Sequence, residues 1–150
     1  MNRPRFIFLN IGHFYDHLFM LLFATVVLRL EEQYNQPWSE LLLLATPGFV
    51  AFAVGAIPAG WLGDRWSQVG MMVIFFIGIG ASAIFIGLAN GSKMLFAGLT
   101  LIGLFASIYH PVGIAWIVAA AERQGMTLGI NGVFGNAGGS LAPVFVGVMI

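Results

Sequence analysis

Asn10-Ile-Gly-His13-Phe-Tyr-Asp16-His17 sets two imidazoles, a carboxylate and an amide inside a strongly apolar run. At helical spacing His13, Asp16 and His17 share one face, with Asn10 one turn before them. Counted from Phe6 at 1.5 Å per residue, Asp16 lies about 15 Å into that apolar layer. A carboxylate at such depth costs several kcal/mol unless it meets water, a partner or a proton. Three chemistries suit these residue types. One is a proton relay through carboxyl and imidazole. The second is a structural network in which His13 or His17 satisfies Asp16 and fixes the rotation of the helix. The third is a metal-ion site, since two histidines four apart plus a carboxylate are plausible ligands, though at a loose spacing.

A second polar group is Ser107-Ile-Tyr109-His110-Pro111. His110 lies about 14 Å from the end of its apolar run near Ala119, and His13 about 10 Å from Phe6. At comparable depth, the two can face one cavity if their helices are neighbours. Asn131 and Asn136 are weaker candidates, Asn136 being the better placed in depth. Enzyme chemistry finds little footing. The intramembrane zinc-protease pattern needs a glutamate directly after the first of two histidines, and Phe14 stands there. No serine–histidine set or phosphate-cradling loop is evident, and the glycine-rich segment after residue 128 follows no strand. No enzyme activity, cofactor or resident metal is expected.

These groups must be held by membrane helices. Hydrophobic residues make up 59% of the 150-residue chain and charged residues 8%, against roughly a quarter charged in soluble domains. Such a chain cannot cover itself with polar groups, so its solvent is lipid. Charge-free stretches at 41–63, 66–92, 94–121 and 124–150 each hold a span of about 20 residues, and the run beginning at Phe6 holds another. The expected fold is all-α: five transmembrane helices at about 6–28, 41–63, 70–89, 94–120 and 127–150. Continuous apolar runs lack the alternation of barrel strands.

Arg3, Arg5, Arg65 and Arg123 fall on one side of that bundle, against Arg29 and Lys93 on the other. This bias puts the N-terminus in the cytoplasm. A net charge of zero argues against a nucleic-acid partner, and the absence of cysteine excludes thiolate metal sites and disulfides. Ala51, Gly55, Ala59 and Gly63 recur every four residues, and Gly129, Gly132, Gly135 and Gly138 every three. Inside lipid, such small faces mark helix–helix seams. Pro47, Pro58, Pro111 and Pro143 are expected to bend their spans. The chain stops inside an apolar helix, so a longer protein is expected.

Gly60-Trp61-Leu62-Gly63-Asp64-Arg65-Trp66-Ser67-Gln68 resembles the signature of the major facilitator superfamily, Gly-x-Leu-(Gly/Ala)-Asp-Arg-x-Gly followed by basic residues, at the required place after the second span. Ser67 stands where glycine is usual, and Gln68 and Val69 where basic residues are usual. In this reading Gly60, Gly63, Asp64 and Arg65 form a conformational-switch loop. Asp64 charge-stabilises a neighbouring helix N-terminus, and the two glycines let another helix approach. The first-span cluster, and His110-Pro111 followed by Gly132-Val-Phe-Gly135-Asn136-Ala-Gly138, are similar to the fosmidomycin-resistance branch of drug exporters. Gly139-x-x-Ala142-Pro143 loosely resembles a motif of drug–proton antiporters, with Ala142 in place of its glycine.

The resemblance implies a twelve-helix protein in two halves, of which this chain holds most of the first, the second half being a partner it lacks. Spans one and four would be equivalent repeat members lining a central cavity. It further implies a multi-pass protein of the cytoplasmic membrane that exports a small organic molecule by alternating access, coupled to protons. His13, Asp16, His17, His110, Asn10, Tyr109 and Asn136 would line the cavity. A metal-ion transporter and a non-transporting scaffold or receptor are the alternatives.

Overall fold

The first helix owes its start to a polar cap and its end to a left-handed residue. In this computed structural model, which describes residues 2–149, α1 runs Arg3–Tyr34. The Asn2 side chain accepts from the Arg5 N–H at 3.2 Å, and a proline sits in the first turn, where its missing N–H costs nothing. Asn35, at φ 49°, closes the helix by returning its N–H to the Glu31 carbonyl. α1 therefore runs well past residue 28. Arg29, Glu31 and Glu32 ride on its last turns, and the Glu31 carboxylate accepts from the Trp38 N–H at 2.6 Å.

A short α2, Trp38–Leu43, leads into α3, Thr46–Arg65. α4 is Gln68–Gly87 and α5 is Ser92–Ala106. A π-helical stretch, Tyr109–Ile114, and a short α6, Ala115–Ala120, continue the α5 passage. α7 is Gln124–Met149. Among the described residues, four passages are long and apolar enough to cross a membrane: Arg3–Tyr34, Trp38–Arg65, Gln68–Gly87 and Ser92–Ala120. α7 has the length, but Asn131, Asn136 and its glycines dilute its apolarity. The five expected spans thus resolve into four strongly apolar passages and one long, glycine-rich helix.

Pro111 explains the π-helical stretch. Its ring excludes the carbonyl one turn earlier and it donates no hydrogen bond, so the backbone widens rather than simply bending. Hydroxyls elsewhere in the apolar layer bond back to their own helices, as Ser82 does to the Gly78 carbonyl at 2.7 Å and Thr25 to the Leu22 carbonyl at 2.7 Å. That leaves no bare donor facing lipid at those positions.

α1 packs along α7, while α3 and α4 both pack on α5. The contacts run through small residues. Gly48 faces the Leu99 carbonyl, and Gly103 rests against the Gly48 backbone. Added side chains at Gly55 and Gly63 would meet Ser107 and Val112, so the four-spaced ridge of α3 is buried against the fourth passage. In α7 the three-spaced series divides. Gly135 and Gly138 face His13 and Phe14 of α1, whereas Gly129 and Gly132 have nothing within 4 Å. A step of three lags a 3.6-residue turn by about 60°, so such a series winds off the seam. Leu9, Phe75, Ile79, Ile102, Tyr109 and Ile117 form part of the main core, and Phe23, Val27, Leu41 and Leu99 part of a second core toward the other end.

Candidate functional site

The polar residues of α1 meet those of the π-helical stretch in the middle of the bundle. Asp16 is 1% exposed. Its Oδ2 lies 3.2 Å from His110 Nε2 and 4.0 Å from His17 Nε2. Its Oδ1 is buried and has no hydrogen-bond partner among the described residues. His17 and His110 keep 34% and 40% of their side chains exposed, so the Asp16 carboxylate is approached from an open side only past imidazoles.

His13 is buried and anchored from α7. Its Nδ1–H donates to the Asn131 carbonyl at 2.8 Å. Because a carbonyl only accepts, Nδ1 carries the hydrogen, and Nε2 of the neutral ring keeps a free lone pair. The ring stacks on Tyr109, with centroids 4.8 Å apart and planes 19° from parallel. Gly135 makes this possible: a Cβ there would come within 2.6 Å of His13 Nε2. One ring nitrogen from each of His13, His17 and His110 lies within 4.8 Å of the others.

An amide network backs the cluster. Asn131 Nδ2 donates to Asn10 Oδ1 at 2.9 Å and to the Tyr109 hydroxyl at 2.8 Å, while that hydroxyl donates to the Leu9 carbonyl at 2.7 Å. Asn10, Asn131 and Tyr109 are all buried. Three helical passages are thereby joined by hydrogen bonds whose donors and acceptors are matched, the arrangement that makes a buried polar network rigid.

Of the candidate residues, His13, Asp16, His17 and His110 come together around one point, and Asn10 and Tyr109 stand directly behind them. Asn136 does not join them; it is exposed, and Asn131 holds the place facing α1. The helical phase carries the signal. Asn131 shares a stripe with Gly135, Gly138 and Ala142, whereas Asn136 points about 140° away at 100° per residue. Depth along the axis distinguishes the two less well than rotation about it.

Gly60 and Gly63 lie under the same π-helical stretch. A Cβ on Gly60 would be 3.2 Å from Pro111, and one on Gly63 would be 2.8 Å from Val112. Asp64 and Arg65 are exposed at the end of α3, with the Arg65 guanidinium 5.2 Å from the centre of the Trp61 ring. Asp64 makes no hydrogen bond or ion pair with a described residue. The N-terminus of α4 is capped instead by Ser67, whose hydroxyl accepts from the Gly70 N–H at 3.0 Å. The serine that departs from the usual glycine of the signature thus supplies the cap.

Signature and apolar passages agree with a wider comparison: residues 9–150 match the model of the Major Facilitator Superfamily. The chain belongs to that superfamily. Major facilitator proteins are membrane transporters rather than enzymes, in keeping with a multi-pass bundle that buries Asn10, His13, Asp16 and Asn131 at its centre. The chain is also 26% identical over 118 residues to an uncharacterized MFS-type transporter of Mycobacterium tuberculosis. That match covers 75% of this chain and 20% of the relative, so the shared part is about a fifth of the longer protein.

Proposed function

We propose that the protein is a secondary active transporter of the cytoplasmic membrane that exports a small organic molecule in exchange for protons, by alternating access. The observation that carries this reading is the buried Asp16 carboxylate, held 3.2 Å from His110 of a different passage. Within lipid, such a carboxylate is tolerable only when paired or protonated. A proton arriving at or leaving this pair changes the force between α1 and the π-helical stretch. Gly60 and Gly63 rest on Pro111 and Val112, the residues next to His110. The expected switch loop is in fact the last turns of α3, and movement of the stretch reaches this Gly60–Arg65 end directly, which gives it its role as a conformational switch.

In this proposal the chain supplies five spans of a six-helix half, α7 crossing as the fifth, and a second half completes the cavity. Arg3, Arg5, Arg65 and Arg123 face the cytoplasm. Arg5 lies 4.7 Å from the Trp116 ring centre, and Arg3 and Arg123 border one surface hollow, so these residues of the N-terminus, α6 and the turn before α7 share one end of the bundle. The resemblance of the His–Asp cluster and the α7 segment to the fosmidomycin-resistance branch makes that class of small antibiotic the first substrate to try.

In everted vesicles carrying the full-length protein, addition of fosmidomycin or a related small antibiotic is expected to dissipate an imposed pH gradient, read with a pH-sensitive dye. Asp16→Asn is expected to reduce the response to that of vesicles without the protein while the variant still inserts. An undiminished response from Asp16→Asn would overturn the coupling role.

A further inference from the structure

We propose that His13, His17 and His110 form a binding site for a divalent first-row transition-metal ion of the Zn²⁺ type, with Asp16 beside it as the compensating negative charge. The chain has three histidines in 150 residues, and all three converge on one spot from two different passages. One ring nitrogen of each lies within 4.8 Å of the others, and Asp16 Oδ2 is 3.2 Å and 4.0 Å from two of those rings. A tetrahedral ion with bonds of about 2.0–2.1 Å holds its ligand atoms about 3.3 Å apart. Rotation of His17 and His110, whose side chains are part-exposed, would draw the three ring nitrogens toward that spacing and leave the fourth position of the ion for water or the Asp16 carboxylate.

The surroundings favour the same occupant. His13 donates Nδ1–H to the Asn131 carbonyl at 2.8 Å, the outer hydrogen bond that metal-binding histidines characteristically make to fix tautomer and ring orientation. Its Nε2 is left free to coordinate. Asp16 is 1% exposed with Oδ1 unpartnered, a buried acceptor that a cation or a metal-bound water can satisfy. Three imidazoles suit Zn²⁺, Co²⁺, Ni²⁺ or Cu²⁺, whereas Ca²⁺ and Mg²⁺ require mostly oxygen ligands. One carboxylate against a divalent ion leaves a single net positive charge, a smaller burden in lipid than the bare ion. The part-exposed rings of His17 and His110 also give the ion a way in.

This inference goes beyond the transport reading and is tested without substrate or gradient. The full-length protein, purified in detergent and stripped with a chelator, is titrated with Co²⁺. One equivalent is expected to develop the visible absorption of four-coordinate Co²⁺, and Zn²⁺ to displace it. His17→Ala and His110→Ala, both at part-exposed positions, are each expected to weaken binding by roughly tenfold or more, with thermal melting in detergent checking that the variants remain folded. Absence of saturable binding, or binding unchanged in the folded His17→Ala/His110→Ala double variant, would overturn the site. Either result leaves the Asp16→Asn coupling experiment to stand or fall by itself.

Discussion

Asn131 is the side chain on which the order behind the histidine cluster depends, because its amide joins α7 to Asn10 on α1 and to the Tyr109 hydroxyl at once. Replacing it with alanine leaves the backbone carbonyl in place for His13 but deprives two buried partners of their donor. A buried polar group left unpaired costs about 1–3 kcal/mol, and hydrogen bonds between membrane helices average nearer 0.6. Asn131→Ala is therefore expected to destabilise the folded protein by about 1–2 kcal/mol, read from denaturant unfolding in mixed micelles. Asn136→Ala, at an exposed position, should change stability by less than about 0.5 kcal/mol. Equal effects would show that the amide network is not a structural support. At this scale the sequence was informative wherever a residue was chemically out of place. Asp16 and the histidines stand out against apolar neighbours with no structure needed. Asn131 and Asn136 do not differ in type, only in rotation about the helix axis, and that becomes decisive only once the face of α7 turned to α1 is known.

Glycine placement decides how closely the helices approach, and the chain contains both working and idle glycines within one helix. Gly135 faces the His13 ring, and a methyl group there would press on Nε2, Cε1 and Cδ2 together, all under 3 Å. His13 cannot withdraw without giving up its bond to the Asn131 carbonyl. Gly135→Ala is expected to cost about 1–3 kcal/mol by overpacking, whereas Gly132→Ala, with nothing within 4 Å, should be nearly neutral. Thermal melting of the two variants in detergent checks this, and a Gly135→Ala protein as stable as Gly132→Ala would show that the α1–α7 seam is looser than drawn. Spans were legible from the charge-free stretches because lipid enforces them. Their limits were less so. α1 continues beyond Arg29 until Asn35 turns left-handed, since charged residues are welcome on a helix once it has left the apolar layer. Pro111 announced a disturbance, but proline permits a kink, a break or a widened turn, and the sequence alone does not choose among them.

The described residues form a bundle with one polar, part-open centre and a largely apolar exterior, and the proposed sense in the membrane rests on where the few charges fall. Its Gly60–Ser67 segment, the end of α3 and the turn after it, could be placed in the superfamily from sequence because glycine, aspartate and arginine at fixed spacing resist coincidence. The meeting of His110 with the first-span cluster was foreshadowed by their comparable depth, but that their helices are neighbours came only through the repeat plan, as no local pattern links residues so distant in sequence. Orientation is open to a direct check, since no cysteine is present in this chain to compete for label. Asn90 and Glu122 are both exposed, one in the turn between α4 and α5 and the other between α6 and α7, at opposite ends of the fourth passage. In a full-length background without other cysteines, Asn90→Cys should react with a membrane-impermeant maleimide on intact cells. Glu122→Cys should react only after lysis. The proposed orientation puts the basic residues at the Glu122 end in the cytoplasm, so the opposite labelling pattern would invert the bundle and turn the proposed exporter's inner face outward.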